Sequence, residues 1–264
     1  MRVMKIGLEQ LRLRGPWATV ALAGFVLLVA SHAGFSLAGT ANQATFQSAE
    51  EASNALFLAV KNHNVQALTQ VLGAGNELVD SDDEVQDNFD RGQFAQKYQQ
   101  MHRLARESSG IKRLYIGAEN WPFPVPLVSQ NGKWRFDSDA GVREVQFRRI
   151  GENEITAIVR GRSLAAVENG AQVADANHGP VDAPTGGGPA GPFHGYYFRT
   201  LADSRDHFAV VAYPAEYRSS GVMTFIVNQN GEVREKDLGP DTVKIAPAIV
   251  VHDAQSTWNP VDGP

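Results

Sequence analysis

WPFPVPLVSQNGKWRFD (residues 121–137) and VMTFIVNQNGEVREKD (residues 222–237) follow the same plan. Each has an apolar run, an Asn-Gly step and a returning run. Asn-Gly supplies the positive φ that a tight hairpin turn requires, and a strand shows alternate side chains to opposite faces. Both stretches therefore read as antiparallel hairpins. The first joins Pro124–Val128 to Lys133–Phe136 across Gln130-Asn131-Gly132, and the second joins Val222–Val227 to Glu232–Lys236 by a two-residue turn at Asn230-Gly231. In the third strand of the second lobe, Val222, Thr224 and Ile226 face one way and Met223, Phe225 and Val227 the other. Both faces are apolar, so both need cover.

Upstream of the first hairpin the period is helical. Ser48-Ala49-Glu50-Glu51 is a capping box, followed by a stripe of Ala52, Leu56, Ala59 and Val60. Asn64 caps a second helix with Val65, Leu68, Val71 and Leu72 inward, and Gly73 and Gly75 end it. Asp80–Asp87 reads as an acidic loop. A third helix is expected over Phe89–Arg106, with Phe94, Tyr98, Met101 and Ala105 at helical spacing, and a strand over Ile111–Ile116. Asp139–Val167 is helical in propensity, with breaks expected near Gly151 and Gly161. Residues 177–192, NHGPVDAPTGGGPAGP, read as a flexible linker or loop. Phe193–Leu201 and Phe208–Tyr213 complete a four-stranded antiparallel meander, and Pro240–Pro264 reads as an irregular tail with Trp258 as an anchor.

The fold class is α+β. An N-terminal lobe over 45–140 combines helices with a curved antiparallel sheet. Helix and Gly/Pro-rich linker follow over 141–192, and a C-terminal antiparallel sheet lobe with its tail occupies 193–264.

The first 38 residues read as an export signal. Arg2, Lys5, Arg12 and Arg14 form a basic start, and Trp17–Ala30 is strongly apolar. Small residues at Ser36/Ala38 and Ser31/Ala33 suit cleavage after Ala38 or Ala33. The alternative is an uncleaved inner-membrane anchor, the one way this chain is expected to touch a membrane. Either way the remainder leaves the cytoplasm, because the positive flank stays inside. Four basic residues and Glu9 go with that segment, so the formal charge falls from −5 to −8. No Lys/Arg-rich run remains, which gives nucleic-acid binding no electrostatic support.

Chemistry is sparse. There are no cysteines, which removes disulfides, thiolate catalysis and iron–sulfur clusters together. There is no G-x-S-x-G elbow; Ser219-Ser220-Gly221 reads as a turn. No pair of histidines has metal-binding helical spacing, and Asp203, Asp206 and His207 read as a polar hairpin tip. Asp80–Val85 starts like a calcium loop but carries Val85 where glycine is needed and Arg91 where the bidentate glutamate belongs. Thr185-Gly186-Gly187-Gly188 lacks the ending of a phosphate loop. No cofactor is expected. The only acid–base pair worth testing is His102 with Asp90 or Asp137.

Trp121-Pro122-Phe123-Pro124, HGYYFR (194–199) and AYPAEYRSSG (212–221) resemble the exported bacterial family known as domain of unknown function 2950. The likeness covers most of residues 45–258. It implies a periplasmic or envelope protein and no established activity. The three helices before a curved sheet resemble the nuclear transport factor two-like cone. The later meander resembles the globular sheet of type IV pilins and pseudopilins. Rigid aromatics suit binding surfaces, so the candidate ligand or partner surface is Trp121, Phe123, His194, Tyr196, Tyr197 and Tyr217, facing an envelope protein or a small ligand. The expected function is that of a non-catalytic binding module. The alternatives are a cofactor-free enzyme with a pocket in the N-terminal lobe, and a structural part of a pilus-like or secretion assembly.

Overall fold

A computed structural model describes residues 43–73, 76–79, 83–107, 110–170, 191–204, 207–250 and 257–261. The segment read as an export signal, Asp80–Asp82, most of the Gly/Pro run, Asp206 and the side chains of Asp203 and His207 lie outside the described residues. The chain is α+β with two antiparallel sheets and divides into two compact units between Arg148 and Arg149.

In the first unit, α1 (Ala49–Lys61) begins where Ser48 accepts from the Glu51 amide at 3.0 Å. The Glu51 carboxylate reaches back to the Gln47 amide at 2.8 Å, one residue before the cap. Asn64 caps α2 (Val65–Leu72) by accepting from Ala67, and Gly73 closes it in the left-handed conformation. A short α3 (Asn76–Val79) follows. Then α4 (Glu84–Gln100) starts at Asp83, which accepts from the Gln86 amide. The expected acidic loop is thus helical from Glu84 onward. Negative charge in a first turn complements the exposed N–H groups there.

The third helix also ends earlier than its spacing suggested. Met101 is extended (φ −163, ψ 135), and His102–Arg106 forms β1 rather than more helix. Met101 and Ala105 merely coincide with helical spacing. β1 pairs antiparallel with β2 (Lys112–Ile116), where Leu104 lies opposite Leu114. β3 (Trp121–Pro122) pairs with β2, and β4 (Leu127–Gln130) with β5 (Lys133–Phe136). Asn131 and Gly132 both have positive φ, at 52° and 74°, as a two-residue hairpin demands. Leu56, Leu68, Leu72, Phe94, Leu114, Phe123, Leu127 and Phe136 form the continuous core between helices and sheet.

α5 (Ser138–Glu168) is one helix of 31 residues, unbroken at either glycine. Gly151 meets open space, so the helix tolerates it at about 1 kcal/mol relative to alanine. Gly161 is there for contact: a Cβ would stand 2.8 Å from Val227 Cγ2.

In the second unit the sheet is a five-stranded meander, ordered β10-β9-β8-β7-β6. β6 (Tyr196–Ser204) starts later than expected, because His194 (φ 45°) and Gly195 (φ 75°) turn the chain under a Phe193–Tyr196 bridge. β7 (His207–Pro214), β8 (Met223–Asn228) and β9 (Val233–Asp237) follow. The β8–β9 turn takes three residues, not two. The Asn228 amide donates to the Glu232 carbonyl, only Gly231 of the Asn230-Gly231 pair has positive φ, and Asn228 Oδ1 accepts from the Asn230 and Glu232 amides. The side-chain bonds stabilise the extra residue.

The alternation in β8 holds. Phe225 and Val227 pack with Ala157, Leu164 and Ala165 of α5, while Ile226 packs with Ala246, Ile249 and Trp258. The tail is not wholly irregular. A short helix α6 (Thr242–Ile245) begins the cover of the second face, Arg199 donates to the Ala246 and Ile249 carbonyls, and β10 (Asn259–Pro260) adds a fifth strand beside β9. Among the described residues no helix is long and apolar enough to cross a membrane.

Candidate functional site

Of the six aromatic and histidine residues singled out from the sequence, three are interior. Phe123 is wholly buried between Phe94 and Phe136, at ring distances of 5.6 and 6.1 Å. Trp121 meets Phe123 edge-on, with the Arg148 guanidinium 5.4 Å from its ring centre. Tyr196 is wholly buried, its hydroxyl donating to the Met223 carbonyl at 2.9 Å. Burial, then the nearby Glu154 charge, holds that phenol neutral by raising its pKa far above the ordinary value. The other three reach solvent. Tyr197 pairs with Tyr213, Tyr217 donates to Asp237, and His194 meets the Phe193 ring edge-on. Strand alternation separates the neighbours Tyr196 and Tyr197 onto opposite faces.

The constellation with a cavity lies in the first unit, where α1, the end of α4 and β1 border a groove of about 540 Å³. Ser53 and Phe57 come from one face of α1, four residues apart. Tyr98 stands in the last turn of α4. Its hydroxyl lies 3.0 Å from the buried Ser53 Oγ, and its ring is stacked on Phe57 (4.5 Å, 10°). Burial raises the Tyr98 pKa, with the Ser53 bond acting weakly against it. His102 follows just after α4 ends. Its ring folds back over the other face of Tyr98 (4.0 Å, 9°), and Nδ1 approaches the Tyr98 carbonyl at 2.9 Å. A helix leaves its last carbonyls without partners, and the imidazole satisfies one of them. A carbonyl only accepts, so Nδ1 carries the hydrogen and the neutral ring keeps its lone pair on Nε2.

The acid–base pairs suggested for His102 are not assembled. Asp90 Oδ1 accepts from Gln86, Asp137 caps the start of α5 through the Ala140 amide, and neither borders the groove. A general base here would lack the carboxylate that orients an imidazole for catalysis. What the groove presents is a ring stack and hydrogen-bonding groups.

A second concavity, of about 650 Å³, lies in the other unit beside Arg162, Glu232 and Arg234. It is larger but more polar, and both arginines donate to main-chain carbonyls, Arg162 to Gly231 and Arg234 to Trp258. Of these two concavities the aromatic groove has the more apolar lining.

In the same unit Glu154 accepts from the Val222 and Met223 amides at 3.0 Å each, and Glu235 is raised above the usual carboxylate range by burial and then by Glu154. The amide bonds make Glu154 a clamp between helix and strand.

The sequence singled out His102 only as half of an acid–base pair, and Ser53, Phe57 and Tyr98 were not linked to it. Their four-residue spacings along two helices were the available signal, and only packing brings those helices together.

No curated protein and no solved structure matches this chain, so neither the pilin-sheet nor the cone likeness gains support from a known fold. A family model does match, over residues 43–183 and 205–261, and it includes every residue bordering the aromatic groove. The chain belongs to that family, described as Protein of unknown function (DUF2950).

Proposed function

We propose that this chain is an exported, non-catalytic binding protein of the bacterial cell envelope that takes a small ligand in the Phe57–Tyr98–His102 groove. The observation that carries the reading is a solvent-reaching imidazole at the end of a rigid ring stack, bordering a groove of about 540 Å³. Small-ligand sites typically enclose roughly 300–1,000 Å³, lined by aromatics with a few fixed polar groups. Export is supported by the basic start and apolar centre of residues 1–38.

Fractionation of the native host followed by N-terminal mass analysis tests the location. A periplasmic or secreted chain beginning at Gly39 or Gly34 is expected. A full-length chain in the cytosol overturns export, and a full-length chain in the inner membrane replaces cleavage by anchoring. Binding is tested by a mixed small-molecule screen read on backbone amides: at least one compound should shift Ser53, Phe57 and Leu104 together.

A further inference from the structure

We infer that the groove takes a small, flat aromatic or heteroaromatic molecule with an N–H or O–H donor, which stacks on the outer face of His102 and donates to its Nε2. This rests on the binding reading above and narrows it to a ligand class.

The ring geometry sets the first half of the argument. Phe57, Tyr98 and His102 stand nearly parallel, with interplanar angles of 10° and 9°, so His102 ends the stack. His102 is exposed although Tyr98 covers one face and Nδ1 is turned to the Tyr98 carbonyl. Among the described residues, the opposite face has no ring contact and Nε2 no hydrogen bond. A further flat ring continues the stack, as aromatic pairs favour offset parallel contact.

The platform is also held in place. Tyr98 is 5% exposed, held at its hydroxyl by Ser53 and on its two faces by the stacked rings. A preorganised surface loses little entropy on binding.

Polarity sets the second half. With the hydrogen on Nδ1, Nε2 is an acceptor that asks for a donor. The charged groups at the rim already have partners. Glu50 is paired with Lys112 at 3.0 Å, its pKa lowered first by a backbone hydrogen bond and then by Lys112. Arg103 donates through Nε to Asn120, with its guanidinium 4.4 Å from the Tyr115 ring centre. Glu50 has a counter-charge, whereas Arg103 is held by a neutral amide and a ring and keeps its positive charge at the rim.

Three probes separate the two features: phenol has ring and donor, toluene has the ring alone, and cyclohexanol has a donor without a flat face. Each is titrated into the ¹⁵N-labelled protein as the cell produces it. The amides of Ser53, Phe57, Gln99 and Leu104 and the ¹⁵N resonance of His102 Nε2 are followed. Phenol should bind about two- to tenfold more tightly than toluene, the scale of one net hydrogen bond, and more tightly than cyclohexanol, which has no flat face to stack. It alone should move the Nε2 resonance. His102→Phe keeps a flat face without the acceptor, and should lower phenol to the toluene affinity. Equal shifts of the groove amides by all three probes, or an Nε2 resonance unmoved by saturating phenol, overturn the ligand class while leaving a binding groove. Groove amides that respond to no compound, in the titrations or in the mixed screen, overturn the binding reading itself. The wild-type Nε2 signal decides the matter even if the variant does not fold.

Discussion

Gly221 shows how much one missing side chain decides. A Cβ at this position would overlap the Tyr196 hydroxyl and ring, and Tyr196 is fully buried with its hydroxyl tied to Met223. The ring has no room to retreat, so Gly221→Ala should destabilise the protein by about 1–3 kcal/mol, read from chemical denaturation. A wild-type midpoint would show that Tyr196 is not held as described. Glu235 makes a prediction of the opposite sign. Its folded-state pKa is raised, by burial first and then by Glu154, so its ionised form is disfavoured in the fold. A raised pKa gives stability that is present below the unfolded value and lost as pH rises through the folded one. At neutral pH Glu235→Gln should therefore stabilise the protein, by no more than about 0.5 kcal/mol because water still screens the pair. The gain should vanish as pH falls through the carboxylate range. Melts at both pH values check it, and a gain confined to acid would refute it.

Among elements, the short fifth strand carries the clearest test. Trp258 is buried against Val211, Ile226 and Ile249, and the residues after it form β10 and the Val261–Val233 backbone bond. Two paired residues form too short a strand to persist alone, so the indole acts as the anchor. Trp258→Ala should cost about 3–5 kcal/mol, since it removes the indole that holds the tail and leaves a cavity in its place. Hydrogen exchange should show protection lost at Val261 and kept at the β7–β8 pairs. Protection retained at Val261 would mean that the strand holds the indole, not the reverse. α5 illustrates the limit of propensity. Gly151 and Gly161 looked like breaks, yet hydrogen bonding runs through both, and close packing of Gly161 on Val227 outweighs its intrinsic cost.

Across the whole molecule, two compact units carry separate cores. One is built from helices and a small sheet, the other from a meander covered on both faces. Family membership covers both, without an activity attached. The aromatic groove belongs to the first unit alone, and its chemistry comes from three elements and their ring stack.

Local physics made several features readable in the chain itself: the caps at Ser48 and Asn64, the hairpin at Asn131-Gly132, the two-faced strand at Val222–Val227 and the α+β class. Each depends on residues within a few positions of one another. Burial and assembly were settled only by distant contacts. Trp121, Phe123 and Tyr196 had the composition of a binding surface but fill cores, because large apolar rings gain most by leaving water. Met101 turns the chain out of helix into β1, against its own helical spacing, because His102–Arg106 can pair with β2 there. That turn lays His102 over Tyr98, and the groove follows from a pairing no short window of sequence contains.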